Sequence, residues 1–342
     1  MSMRFELLHV LRTIASVAVV LHHLTAMAER SYGMSYLGGF FTAFEFRVDF
    51  FFVLSGFLVT WVYGGRVGEP GAGLAFFKRR LLRLYPLLFV LTTLKLLLML
   101  GPAAASGRWS SESLDLTTIL GSYLMLPMER YPLILAAWTI PFEVFFYAMF
   151  AIAMSTRWRV VLGIALLWMI AIIVHGALYP SAQPRQTFFL LQLSHLQLMA
   201  GVLAALALKT LDLRVWQRPL LAIAISALVA LPFIYDACLR PNPLMKRLYL
   251  AATFVALIVG SALWEQARGR SLALPRWLHT LGDASYSIFL MHSPLLLLGL
   301  QQLAQRQLMS NGTLTLLALL TVVAGVFCHR WLEMPMQRRL AN

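Results

Sequence analysis

The sequence predicts an all-α fold, a polytopic transmembrane helical bundle of about ten helices, and three observations predict it. Hydrophobic residues make up 60% of the 342 and charged residues only 12%, with a mean hydropathy of +0.76. Such a composition belongs to membrane proteins rather than to soluble domains. Apolar stretches near the length of about 20 residues that a helix needs to cross the hydrocarbon core recur along the chain. Between them the basic residues fall into short clusters, which is how a membrane topology signal reads. The net charge of +14 therefore does not point to nucleic acid, whose binders carry their charge on a solvated face. Cys238 and Cys328 have no metal-ligand spacing and form no disulfide framework.

The first span is predicted near 7–27. Ala26-Met27-Ala28 faintly resembles a signal-peptidase site, but a signal core rarely carries Arg12, His22 and His23, so cleavage is not expected. The second span is predicted near 40–63, the third near 84–101 after a basic run, and the fourth near 133–154. Leu116 to Pro127 is apolar but short, which suits a re-entrant or interfacial segment. Six more spans follow near 160–179, 187–208, 220–235, 248–264, 281–300 and 313–332. No internal repeat or soluble domain interrupts them, so residues 1–342 read as one integral membrane domain.

The basic residues orient the chain. With the N-terminus inside, the cytoplasmic segments hold Arg4; Arg66, Lys78, Arg79, Arg80 and Arg83; Arg157 and Arg159; Lys209, Arg214 and Arg218; Arg268, Arg270 and Arg276; and Arg330, Arg338 and Arg339. That is 17 of the 28 Lys and Arg. The other side holds 8: Arg30, Arg108, Arg130, Arg185, Arg240, Lys246, Arg247 and Arg306. The asymmetry places both termini in the cytoplasm for an even number of spans.

Ionisable groups inside spans are costly and are functional candidates by default. Arg12 and His23 lie within about 20° of one helical face and about 16 Å apart along the axis, with His22 about 80° away. Helix-packing hydrogen bonds would explain either residue alone, and the aligned pair favours function. In the second span Glu45, Arg47 and Asp49 crowd five residues, which suits a neutralised cluster at the membrane boundary for Glu45 and Arg47. Glu143, near the centre of the fourth span, needs a partner or a proton, and either state serves acid–base chemistry. Arg80 and Arg83 share a helical face in the run Lys78 to Arg83. The run reads equally as a stop signal or headgroup anchor and as a guanidinium pair that forks onto phosphate oxygens.

Segments along the chain, in order, carry a resemblance. Arg12 and His23 fit an Arg-x10-His motif. Val48 to Phe57 is similar to Gly-Val-Asp-x-Phe-Phe-x-x-Ser-Gly-Phe, with Arg47 where Gly is usual and with Asp49 and Ser55 matched. Arg80-Leu81-Leu82-Arg83-Leu84-Tyr85-Pro86 resembles an Arg-x-x-Arg-x-Tyr-Pro loop. Trp138-Thr139 through Glu143 to Phe146-Tyr147 resembles Trp-Ser-Leu-x-x-Glu-x-x-Phe-Tyr. Ser285 to His292, including Tyr286, and Glu333-Met334-Pro335 look like late signatures of the same family. On these residues the chain resembles the membrane-bound acyltransferase 3 family of bacterial O-acetyltransferases. It is similar to the stand-alone members, which lack a fused hydrolase-like domain.

The resemblance implies transfer of an acyl group from a cytoplasmic acyl-CoA to a hydroxyl at or beyond the outer leaflet, in a bacterial cytoplasmic membrane. Acetyl-CoA is the default co-substrate, succinyl and longer acyl groups stay open, and no metal is implied. The acceptor is expected to be a surface glycan or glycolipid such as lipopolysaccharide, and self-association is left open. Arg80, Arg83, Tyr85 and Arg12 are then expected to hold acyl-CoA. His23, Glu143 and Arg12 are expected to be catalytic, with His23 acting as general base or briefly carrying the acyl group. Asp49, Ser55, Trp138, Tyr286 and His292 would line the cavity or hold the motifs in place. The 16 Å between Arg12 and His23 is about the reach of an extended pantetheine arm. Two rival classes remain: a transporter or flippase, which buried charges also suit, and a non-enzymatic scaffold, which would need no aligned Arg and His.

Overall fold

The computed structural model describes residues 5–106, 115–180, 188–269 and 273–341. Arg4, Arg108, Arg185 and Arg270 of the topology count lie outside these residues. Thirteen α-helices, and no strands, form the described residues. They are α1 Glu6–Tyr32, α2 Arg47–Tyr63, α3 Ala72–Ser106, α4 Leu116–Leu124, α5 Ile140–Ser155, α6 Trp158–Leu178 and α7 Ser194–Thr210. Then come α8 Gln217–Ile234, α9 Pro243–Arg268, α10 Arg276–Asp283, α11 Ser285–Gln305, α12 Asn311–Cys328 and α13 Met334–Ala341. Nine helical stretches among the described residues are long and apolar enough to cross a membrane. The expected span not among them, 187–208, holds α7, with 17 residues. The protein is a polytopic membrane protein.

Among the boundaries that differ from the expected ones, four have a local reason. The second span starts at Arg47 rather than 40, because Tyr36–Phe46 is an irregular 3-10 segment, left-handed at Leu37, Gly38 and Gly39 (φ 48, 65 and 76) and broken again at Phe44 (φ −85, ψ 24). The third starts at Ala72, so the basic run 78–83 is helical; Leu, Lys and Arg are good helix formers, and hydropathy alone does not register them as such. The eighth starts at Pro243 rather than 248, where Asn242 Oδ1 accepts from Met245 N at 2.9 Å and Pro occupies the first turn. The last runs on from α12 through a π-helical turn, His329–Glu333, into α13. As expected, 116–124 is a helix too short to span. Asp115 caps it, and hydrogen bonds from the Thr118 hydroxyl and backbone hold its carboxyl below the usual range.

The contacts divide the chain into two units, Met1–Ala15 with Phe46–Phe77 and Phe145–Arg276, and Ser16–Glu45 with Lys78–Val144 and Trp277–Asn342. In the first unit, α2 packs on α7 and both pack on α9, around Phe50, Val53, Phe57, Ala205, Phe254 and Ile258. Lipid is as apolar as these side chains, so close van der Waals fit holds such helices together. Gly56 and Gly201 make that fit. A Cβ on Gly56 would meet the Leu198 carbonyl, and one on Gly201 would meet the Val53 carbonyl. Neither backbone can give way, so Gly56→Ala or Gly201→Ala should each cost about 1–3 kcal/mol. This would be read as a lower unfolding temperature of the purified protein, with Gly65→Ala, which meets nothing within 4 Å, unchanged.

Charges lock the ends of this unit. Lys209 Nζ donates to the carbonyls of Thr60 (3.1 Å) and Trp61 (2.8 Å), closing the C-terminus of α2. The Glu265 carboxylate accepts from the backbone N–H groups of Glu6 (2.9 Å) and Leu7, closing the N-terminus of α1. Asp49 near the start of α2 accepts from Gln197 near the start of α7 and from Arg247 near the start of α9. The first turns of these three packed helices therefore lie together.

In the second unit α11 packs on α12 around Val20, Leu24, Tyr36, Ile288, Leu296 and Leu314. Tyr36 Oη and Thr315 Oγ1 lie 2.9 Å apart, and Leu37 N donates to Asn311 Oδ1 at 3.0 Å. The Glu333 carboxylate, on the π-helical turn, accepts from Ser287 Oγ (2.6 Å), His329 Nδ1 (2.7 Å) and Gln337 Nε2 (2.9 Å). The two late sequence signatures therefore meet each other here.

Candidate active site

Most residues singled out from the sequence fall in the second unit: His23, Arg80, Arg83, Tyr85, Trp138, Glu143, Tyr286 and His292. The contact that organises them is between two histidines. His23 Nδ1, on α1, lies 2.9 Å from Nε2 of His292, on α11. His23 Nδ1 also lies 3.2 Å from the Val19 carbonyl, and His292 Nδ1 lies 2.6 Å from the Phe289 carbonyl. His292 is fully buried and His23 partly so. The neighbouring His22 is turned elsewhere, with Nδ1 3.0 Å from the Phe41 carbonyl.

The same helix α11 reaches the arginine segment. Tyr286 Oη donates to the Leu84 carbonyl at 2.7 Å, beside Arg83 on α3. Tyr85 Oη donates to the Leu124 carbonyl at 3.1 Å and so ties α3 to the end of α4. Arg80 and Arg83 are half-buried, whereas Lys78 and Arg79 are exposed. Trp138 and Thr139 belong to a 3-10 turn, Leu135–Thr139, that packs against α11. Glu143 follows in the first turn of α5, half-buried, where the helix dipole favours a carboxylate. Tyr286 and His292 are six residues apart, about 9 Å along the axis of α11.

Arg12, Asp49 and Ser55 fall in the first unit. Arg12 and His23 lie on the uninterrupted helix α1, which keeps the predicted axial spacing between them. Ser55 Oγ and Tyr147 Oη are 3.5 Å apart, so two motif residues meet there as well. Asp49 is engaged by Arg247 and Gln197, which leaves it a charge-neutralised position. Sequence reading missed both partners and counted Arg247 with an outer loop. The available signal was Asn242-Pro243, a cap and first turn that start α9 early enough to carry Arg247 inside it. The side chains of Glu45 and Arg47 lie outside the described set.

The first unit also holds an apolar cavity of about 670 Å³ lined from α2, α5, α6 and α7, among others by Phe145, Trp168, His195 and Met199. Its polar edges are turned to the backbone: Trp168 Nε1 donates to the Leu190 carbonyl (2.7 Å) and His195 Nε2 to the Phe189 carbonyl (3.1 Å). None of the candidate residues lines it, and it has the character of a hydrocarbon space. Neither the partly buried imidazole pair nor the half-buried guanidinium pair lines it. A neutral imidazole can take a proton near neutrality, and guanidinium groups can hold anions.

These residues fit what comparison with known proteins finds. A family profile described as an acyltransferase domain matches residues 6–330. The chain is also 27% identical, over 317 residues, to a protein of Rhizobium meliloti (strain 1021) named Exopolysaccharide production protein ExoZ, covering 88% of this chain and 92% of that one. No solved structure matches. The chain belongs to the membrane-bound acyltransferase 3 family.

Proposed function

We propose that this acyltransferase moves an acyl group, acetyl by default, from a cytoplasmic acyl-CoA to a hydroxyl of a surface glycan or glycolipid, and that residues 1–342 act as one domain in a bacterial cytoplasmic membrane with both termini inside. The observation that carries the reading is the buried His23–His292 contact, on the helix that also ties to the Arg80–Arg83 stretch. The printed name of the Rhizobium relative, which speaks of exopolysaccharide production, supports a polysaccharide acceptor. The basic asymmetry of the sequence supports the orientation.

In this reading Arg80 and Arg83 hold the phosphates of CoA, with Tyr85 fixing that stretch of α3, and Arg12 guides the pantetheine arm along α1. His23 takes the proton of the acceptor hydroxyl as its oxygen bonds to the thioester carbonyl carbon. The carbon–sulfur bond then breaks, and the CoA thiolate leaves with the proton His23 held. Glu143 orients or reprotonates His23. Asp49, Ser55 and Trp138 keep the motif helices in place.

The test is CoA release from acetyl-CoA by purified protein, in the presence of polysaccharide isolated from a deletion strain. Mass spectrometry of the product gives the acyl group directly. Acceptor-dependent release with a matching mass increment is expected. Its absence with every acyl-CoA and acceptor offered, alongside substrate flux in proteoliposomes, would assign the chain to transport instead. Arg80→Gln with Arg83→Gln should raise KM for acetyl-CoA at least about tenfold, the loss of about 1.4 kcal/mol or more that two charge-assisted hydrogen bonds exceed. Unchanged acetyl-CoA affinity with lost transfer would remove the docking role.

A further inference from the structure

We propose that His292 is the positioning residue of the reaction: it holds His23 in the tautomer whose lone pair lies on Nε2, making Nε2 the reacting nitrogen. The inference rests on the reading of His23 as the base and adds how that base is set. A carbonyl oxygen can only accept, so the 2.6 Å contact with Phe289 puts the hydrogen of His292 on Nδ1. The other nitrogen of the neutral ring, Nε2, then carries a lone pair, and it faces His23 Nδ1 at 2.9 Å. His23 Nδ1 must be the donor in that contact. The second neighbour of that nitrogen, the Val19 carbonyl at 3.2 Å, is also an acceptor and requires the same assignment. The hydrogen bonds thus run in one direction, from His23 through His292 to the backbone of α11.

The chemical consequence follows from proton balance. When His23 Nε2 takes the hydroxyl proton, the ring becomes an imidazolium and its Nδ1–H bond to His292 becomes charge-assisted. His292 does the work a carboxylate does behind the histidine of a serine-protease triad, namely orientation and stabilisation of the cation. It does so without a formal charge. That suits a fully buried position within a membrane span, where an isolated carboxylate is costly.

Asparagine and glutamine separate the two ends of His292. His292→Gln places an amide oxygen near the position of Nε2 and keeps an acceptor for His23. His292→Asn keeps a donor near Nδ1 for Phe289 and loses that acceptor. Full-length purified protein, acetyl-CoA and polysaccharide from a deletion strain are the reagents. His292→Asn should lower kcat about 10²–10⁴-fold with KM for acetyl-CoA unchanged, whereas His292→Gln should stay within about tenfold of the parent. A purely structural role for the Phe289 bond predicts the opposite order. That order, or parent rates for both variants while His23→Ala is inactive, would overturn the proposal and leave the reading of His23 standing. Parent activity in His23→Ala would overturn both. Should either variant fail to fold, ¹⁵N-histidine spectra of the parent and of His23→Ala identify the His23 ring by difference. A hydrogen on Nδ1 is expected, and one on Nε2 instead would overturn the proposal.

Discussion

Alanine in place of His23 should lower acyl transfer by about 10²–10⁴-fold, the range general bases contribute. The imidazole sits partly buried on α1, hydrogen-bonded to a fully buried partner, so no bulk water replaces it as base in that position. The change removes one side chain from a continuous helix and should leave binding of acetyl-CoA nearly intact, because the arginines proposed to hold the CoA phosphates are on α3 and Arg12 is unchanged. Acceptor-dependent CoA release, measured beside equilibrium binding of acetyl-CoA, separates the two. A His23→Ala protein that acylates at the parent rate would show that the hydroxyl proton leaves by another route.

Asp49→Ala should be the most destabilising single change in the first unit, costing about 3–5 kcal/mol. The Asp49 side chain is 5% exposed and its partner Arg247 18%. Removal of the carboxylate leaves a guanidinium near the membrane interior with the Gln197 side chain as its neighbour, at 3.4 Å. Breaking a buried pair from one side costs more than replacing both members, so Asp49→Leu with Arg247→Met should recover most of the loss. Unfolding temperatures of the purified proteins report this directly. A single variant as stable as its parent would mean that the pair is hydrated and contributes little.

The fold was legible because lipid imposes so few solutions. Backbone groups in hydrocarbon must be paired within a helix, so apolar length alone located nine of the ten expected spans as helices long and apolar enough to cross, among the described residues. What hydropathy missed were polar extensions of helices. The run 78–83 continues α3 on helix propensity, and Asn242-Pro243 starts α9 early; both signals were present in the sequence and neither is a hydropathy signal. The site was legible only as separate motifs. Spacing along one helix joined Arg12 to His23, and local spacing joined Arg80 to Arg83. Pairings between distant segments had no such cue. His23 with His292, Asp49 with Arg247, and Ser287 with Glu333 join residues 46 to 269 positions apart. Only the packing of whole helices brings them together.

Helix α11 acts as a ruler. The distance between its tie to the arginine segment, through Tyr286, and its tie to His23, through His292, is set by helix geometry rather than by any loop. Connecting segments at either membrane face can lengthen, shorten or change composition without altering that distance. The loops can therefore diversify while the separation between the two ties stays constant. An insertion of a single residue between 286 and 292 would rotate one tie about 100° away from the other.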